Sequence, residues 1–144
     1  MQTEHFNTPP LVSFTGIWST QIDENWKEVL PFIEEALEHS YETPQRVYEF
    51  LKDKKAQLWV AKQDDAIAAV CVTQVSEYPK GNTCGIWICT GTGRTEWQHH
   101  IKTIEAWAKS NGCVAMRSEA RLGWQRVLKP MGYEATHVTL EKVL

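Results

Sequence analysis

The stretch from Cys84 to Tyr133 constrains the fold more than any other part of the chain. An apolar run from Cys84 to Cys89 meets a Gly91-Thr92-Gly93 break, then an amphipathic segment. A second apolar run, Cys113 to Ser118, follows, and a last helical pattern ends in Met131-Gly132-Tyr133. A strand, a glycine loop, a helix and a strand in that order is how a fold aims backbone N–H groups at a phosphate. Two glycines at a strand-to-helix turn are also what tight chain reversal requires. The loop therefore reads equally as a phosphate site or as a turn without ligand.

The helix after Gly93 has the clearest period in the chain. Trp97, Ile101, Ile104, Trp107 and Ala108 form one stripe, while Gln98, Lys102, Glu105 and Lys109 lie off it, and Asn111-Gly112 ends it. Upstream, Leu11 to Thr15 alternates as a half-buried strand would. Asp23 is a candidate N-cap for a helix carrying Trp26, Val29, Leu30, Ile33, Ala36 and Leu37. Pro31 interrupts that helix and predicts a kink or restart near Leu30. Thr43-Pro44 opens a short second helix with Val47, Phe50 and Leu51 on one face. Leu58 to Ala61 and Ile67 to Val75, joined at Asp64-Asp65, predict a hairpin whose second strand is buried on both sides. After a turn at Pro79 to Asn82, Thr83 to Cys89 is the fourth strand. Cys113 to Ser118 reads as a buried fifth strand and Trp124 to Met131 as a short helix. Tyr133 to Val143 reads as a final strand with a bulge near Thr136 or His137.

At 144 residues and 42% hydrophobic the chain can bury one core, so a single domain spanning residues 1–144 is expected. A net charge of −3 gives no general attraction to nucleic acid or anionic lipid. No apolar run approaches a membrane span, and Met1-Gln2-Thr3-Glu4-His5 lacks the pattern of a signal peptide. The expected location is the cytoplasm, or a particle assembled there. Cys71, Cys84, Cys89 and Cys113 lack zinc-site spacing and sit in or beside strand patterns, as buried reduced thiols do. Most of the seven tryptophans belong in a core, and an exposed one would mark an interaction face.

The order strand, two helices, three antiparallel strands, central helix, strand, helix, strand resembles the GNAT acyltransferase fold. The glycine loop and the Gly132-Tyr133 pair share in the likeness. This implies a mixed, mostly antiparallel α/β sheet, with the central helix Thr95 to Asn111 on one face and the first two helices on the other. Glu105-Ala106-Trp107-Ala108 to Gly112-Cys113, Arg121-x-Gly123-Trp124 and Lys129-Pro130-Met131-Gly132-Tyr133 also resemble small GNAT-like proteins of tailed bacteriophages. In the family the fourth strand splays from the fifth, acetyl-CoA's pantetheine arm pairs in the gap, and its pyrophosphate sits on the glycine loop. The resemblance thus implies acetyl-CoA as cofactor and Cys89, Thr90, Gly91, Thr92, Gly93, Arg94 and Thr95 as its site. An enzyme of this kind takes acyl-CoA and an amine acceptor. A GNAT-like protein without catalysis would instead partner phage structural proteins. Two positions depart from the family: Ile88 stands where an anchoring Gln or Arg is usual, and Leu128 where a tyrosine general acid is usual. The C-terminal end has room for one strand where the family commonly has two.

Glu119, at the predicted end of the fifth strand, is the candidate catalytic base acting through water. Its plainer reading is a surface carboxylate paired with Arg117 or Arg121. Tyr41 or Tyr78 would replace the missing acid only if folding brings one near Cys89. His99-His100 are adjacent on a helix, about 100° apart, and unsuited to ligating one ion together. Arg121 with Trp124 either grips a partner or leaves Trp124 to pack on the sheet.

Overall fold

The computed structural model describes residues 12–92, 98–120 and 122–144. Strand β1 (Val12–Ile17) leads through a 3-10 turn at Ser19–Gln21 into helix α1 (Ile22–Leu37), then α2 (Pro44–Lys52). Strands β2 (Gln57–Gln63), β3 (Ala66–Ser76) and β4 (Asn82–Gly91) follow. A 3-10 turn at Gln98–His100 opens α3 (Ile101–Ser110), and β5 (Cys113–Ser118), α4 (Leu122–Leu128) and a 3-10 turn at Lys129–Met131 complete the order. The sheet runs β1-β2-β3-β4-β5, antiparallel throughout except for the parallel β4–β5 pair. This is the mixed, mostly antiparallel α/β sheet with helices on both faces that the family resemblance implied.

Local chemistry explains most boundaries. The Thr43 side chain accepts the Arg46 N–H at 3.3 Å, with Pro44 beginning α2. Asp64 and Asp65 both take positive φ, 52° and 65°, in the two-residue hairpin turn whose twist suits the flanking strands. α1 departs from expectation: it begins at Ile22 with Asp23 in its first turn, and it runs through Pro31 without a restart. Pro31 and Lys27 are both exposed, so the carbonyl that loses its donor faces solvent.

Alternation in β2 and β3 sorts the core into two layers. Leu58, Val60, Val70 and Val72 point toward α1 and α2, where they meet Ile22, Val29, Ile33, Leu37, Val47 and Leu51. Trp59, Ala61, Ala69 and Cys71 point the other way, toward Ile104 and Ala108 of α3. β3 is buried on both faces, hence its unbroken apolar run.

The C-terminal half brings two corrections. β5 is a strand but not a buried one: Cys113 and Met116 are half-buried, and Val114 is 72% exposed. The expected final strand is absent, for residues 133–144 take no regular secondary structure, and Val138, Leu140 and Val143 are exposed. A strand needs an edge to pair with as well as alternating residues. Among the described residues β5 is therefore the edge of the sheet. The tail is anchored at its start, where the Tyr133 N–H donates to the Leu128 carbonyl and its hydroxyl donates to Glu105 Oε2 at 2.6 Å.

Candidate functional site

β4 is paired on both sides for only half its length. β5 runs beside it from Asn82 to Ile86, and the last pair is Ile86 with Ser118. The next residue, Trp87, is a bulge: Ile86 faces Thr73 and Ile88 faces Val72, so Trp87 is the extra residue on β4. A bulge bends and twists its strand. Trp87 and the adjacent Ile88 both turn toward the α1–α2 layer, the mark of broken alternation. From Ile88 to Gly91 the strand keeps its pairing with β3, and among the described residues no strand lies on its other side. The β4–β5 pair thus ends in a fork of one arm: β5 stops at Ser118, and β4 runs on to Gly91 with a free backbone edge.

Of the candidate residues, Cys89, Thr90, Gly91, Thr92 and Glu119 lie at this fork. Cys89 is half-buried opposite Cys71, with 3.1 Å between the sulfurs. Thr90 is half-buried opposite Val70. Gly91, at φ 154°, lies so close to β3 that a Cβ would stand 2.3 Å from the Ala68 carbonyl oxygen and 2.5 Å from Ala69 Cα. Only glycine fits there, whether or not a ligand binds. The Thr92 N–H donates to the same Ala68 carbonyl at 2.8 Å, so that amide already has an acceptor. Gly93, Arg94 and Thr95 lie outside the described residues. Glu119 is exposed and is the first residue past the last β4–β5 pair, at the crotch of the fork. Among the described residues it forms no salt bridge.

The two positions that depart from the family pattern are both core. Ile88 is 3% exposed within the α1–α2 layer and Leu128 is 7% exposed. Tyr78 does not take over as acid. Tyr78 stands at the far end of β4, separated from Cys89 by roughly 20 Å or more of strand. Tyr41 is exposed beside Glu141, whose charge and hydrogen bond raise its pKa. His99 is exposed and His100 half-buried, with ring centroids 4.1 Å apart and His100 stacked on Phe14. Arg121 lies outside the described residues, and Trp124 packs against the α3 layer, as the plainer reading held. Among the described residues Trp18 is the exposed tryptophan, at 73%.

Three features escaped the sequence reading. The bulge at Trp87 had one visible signal, three large apolar residues in succession at Ile86-Trp87-Ile88. The contact between Cys71 and Cys89 had none, because only strand register creates it. Between α1 and α2, Asp23 accepts from Tyr48 Oη at 2.5 Å and Lys52 Nζ at 2.6 Å, beside a shallow cleft of about 480 Å³ that Trp26 and Leu30 also line. Lys52 first, then Tyr48, holds the Asp23 carboxyl below its ordinary pKa.

No family model and no curated protein matches the chain. Solved structures do. An aminoglycoside N-acetyltransferase in complex with CoA is 14% identical, with 95% of this chain and 97% of that one covered at a TM-score of 0.69. A predicted acetyltransferase from Clostridium acetobutylicum with acetyl-CoA is also 14% identical, over 92% and 96%, at 0.69. A ribosomal-protein-alanine N-acetyltransferase from Brucella melitensis is 9% identical, over 92% and 99%, at 0.70. At these identities the likeness is one of fold, and the fold of this chain is that of the GNAT acetyltransferases.

Proposed function

We propose that the protein is an acyl-CoA-dependent N-acyltransferase acting on an amine, and that it works in the cytoplasm. The observation that carries this reading is the fork, where β4 loses its β5 partner at Ile86 and keeps a free edge to Gly91. Structures of the same fold hold CoA and acetyl-CoA. A free edge offers alternate N–H and C=O groups to an extended chain of amides, which is what a pantetheine arm presents. Acyl-CoA, when bound, supplies an activated thioester carbonyl.

The chain's own residues do the rest. Because Thr92 has spent its amide on Ala68, the pyrophosphate falls to Gly93, Arg94 and Thr95, where backbone N–H groups and the Arg94 guanidinium oppose its charge. Amides of the Thr90 to Thr95 segment, the Thr92 amide excepted, would oppose negative charge on a thioester oxygen held there. Glu119, exposed at the crotch, draws a proton from the acceptor ammonium through water, freeing the amine to attack. Leu128 carries no group that donates a proton, so a leaving thiolate held here would depend on solvent for one.

Calorimetric titration with acetyl-CoA tests the reading. Saturable binding near the micromolar range, about 8 kcal/mol, lost in Gly93→Val, is expected. With an acceptor in hand, Glu119→Gln should lower kcat by about 100-fold with little change in KM. A folded protein that gives no heat at millimolar cofactor would end the enzyme reading. The burial of Leu128 at the acid position favours one alternative: a non-catalytic protein of this fold in a phage particle or its assembly, docking through Trp18.

A further inference from the structure

We propose that Cys71 and Cys89 are an oxidisable dithiol that closes into an intramolecular disulfide between β3 and β4. The two residues are direct partners in the antiparallel register, with their sulfurs 3.1 Å apart. Directly opposed residues hold their Cα atoms about 4.5–5.5 Å apart, inside the range that a disulfide bridges. The sulfurs must therefore approach by about 1 Å, and neither strand has to change register. The other two cysteines are differently placed: Cys84 pairs with Met116 and Cys113 with Asn82, so they are not opposed.

The pair has an order built into it. Cys71 is 1% exposed, while Cys89 is half-buried on the strand half that has a free edge. An oxidant of the peroxide class reaches Cys89 first. Its thiolate attacks one peroxide oxygen, the O–O bond breaks, hydroxide leaves, and Cys89 becomes a sulfenic acid. The Cys71 sulfur then attacks the Cys89 sulfur; the S–S bond forms, the S–O bond breaks and the hydroxyl departs as water. Two thiols are oxidised, one peroxide is reduced, and the two thiol protons end in two waters. The hydrogen bond from Cys71 to Cys89 is the foremost reason the buried thiol resists ionisation, with burial second. The bridge would tie β4 to β3 just past the bulge, and its formation does not depend on any acyl-transfer activity.

The test is to treat the folded protein with hydrogen peroxide, unfold it in denaturant with N-ethylmaleimide, and read intact and peptide masses. Loss of two hydrogens is expected, with Cys71 and Cys89 joined and unlabelled, Cys84 and Cys113 labelled, and full reversal by dithiothreitol. Cys71→Ser should stop at a Cys89 sulfenic acid that dimedone traps. Cys89→Ser should leave Cys71 reduced, and Cys89→Ala serves if that variant fails to fold. Four labelled thiols in the folded wild type after peroxide, or a bridge that includes Cys84 or Cys113, would overturn the proposal.

Discussion

Toward α1 and α2 the sheet buries Leu58, Val60, Val70, Val72 and Ile88; toward α3 the same strands bury Trp59, Ala61, Ala69, Cys71 and Cys84. Every fully buried member of the first layer is aliphatic. Such a layer draws its free energy from area and close packing, neither of which responds to protons or oxidants. The second layer is mixed. Small alanines bring α3 close, and aromatic rings fill what remains: Trp59 donates to Thr73 Oγ1 at 3.0 Å, stacks on Phe14 and meets Trp107 edge-on. All four thiols and Tyr133 with its Glu105 partner belong to this side. The fork opens at the edge of the same sheet. The buried interior of one face is purely aliphatic, while that of the other carries groups that can react or titrate.

Matched truncations give the largest effect by which this contrast can be broken. Ile33 and Ile104 are both 0% exposed, one in each layer. Ile33→Ala should cost about 3–5 kcal/mol, because its neighbours are branched aliphatics that cannot close the cavity. Ile104→Ala should cost about 2–3 kcal/mol, since Met116 is flexible and half-buried Trp107 and Cys113 have room to shift. Urea unfolding of the two variants decides it. Equal costs, or a larger one at Ile104, would mean that the layers differ in composition but not in rigidity.

Alkaline pH probes the same difference more gently. Burial pushes the Cys84 thiol from 9.0 up to about 11, with Cys113 adding to the shift. A folded-state pKa above the unfolded one gives stability that is complete below about pH 9 and is lost as pH rises through 11. Allowing for solvent screening, the loss is on the order of 1 kcal/mol. Cys71 and Tyr133, both raised by burial and by their hydrogen bonds, act in the same direction. Urea midpoints across that range should fall in the wild type and fall less in Cys84→Ala. An unchanged slope in the variant would remove Cys84 from the account.

How much of this was legible in the chain follows from range. The Thr43-Pro44 cap, the Asp64-Asp65 turn, the alternation of β2 and β3 and the stripe of α3 are set by neighbours within a few residues, and all were readable. The final strand was misread because Val138 and Leu140 alternate correctly, yet alternation does not supply an edge to pair with. Of the kink or restart read at Pro31, the restart does not occur, because the cost of a helical proline depends on which way its face points. Cys89, Thr90, Gly91 and Thr92 stood out as a loop and Glu119 as a strand end, but their convergence at one fork depends on where β5 stops and Trp87 bulges. Register between strands far apart in sequence decides both, and no local pattern encodes it.

The smallest effect separates the two sides in acid. His100 stacks on Phe14 with centroids 5.4 Å apart, and burial first, then the charge of His99, lowers its pKa below 6.5, against a backbone hydrogen bond at Val12. A depressed folded-state pKa gives stability that is present above the unfolded value and is lost as pH falls through the folded one, so the decline starts below about pH 6.5. His100→Phe keeps a ring against Phe14 and removes the titration, and it should flatten the curve down to the carboxylate range. His99→Gln, at an exposed position, should remove the repulsion and raise the His100 pKa, so the decline becomes smaller without vanishing. On the α1–α2 side the first group to respond is Asp23, held below 3.8 by Lys52 and Tyr48, whose stabilising contribution is lost only as pH falls beneath that value. Thermal midpoints measured across both windows should therefore show an early step that His100→Phe removes and a later one that Asp23→Asn removes. A single late step, insensitive to His100, would leave the α3 side silent in acid and confine its titration to the alkaline thiols.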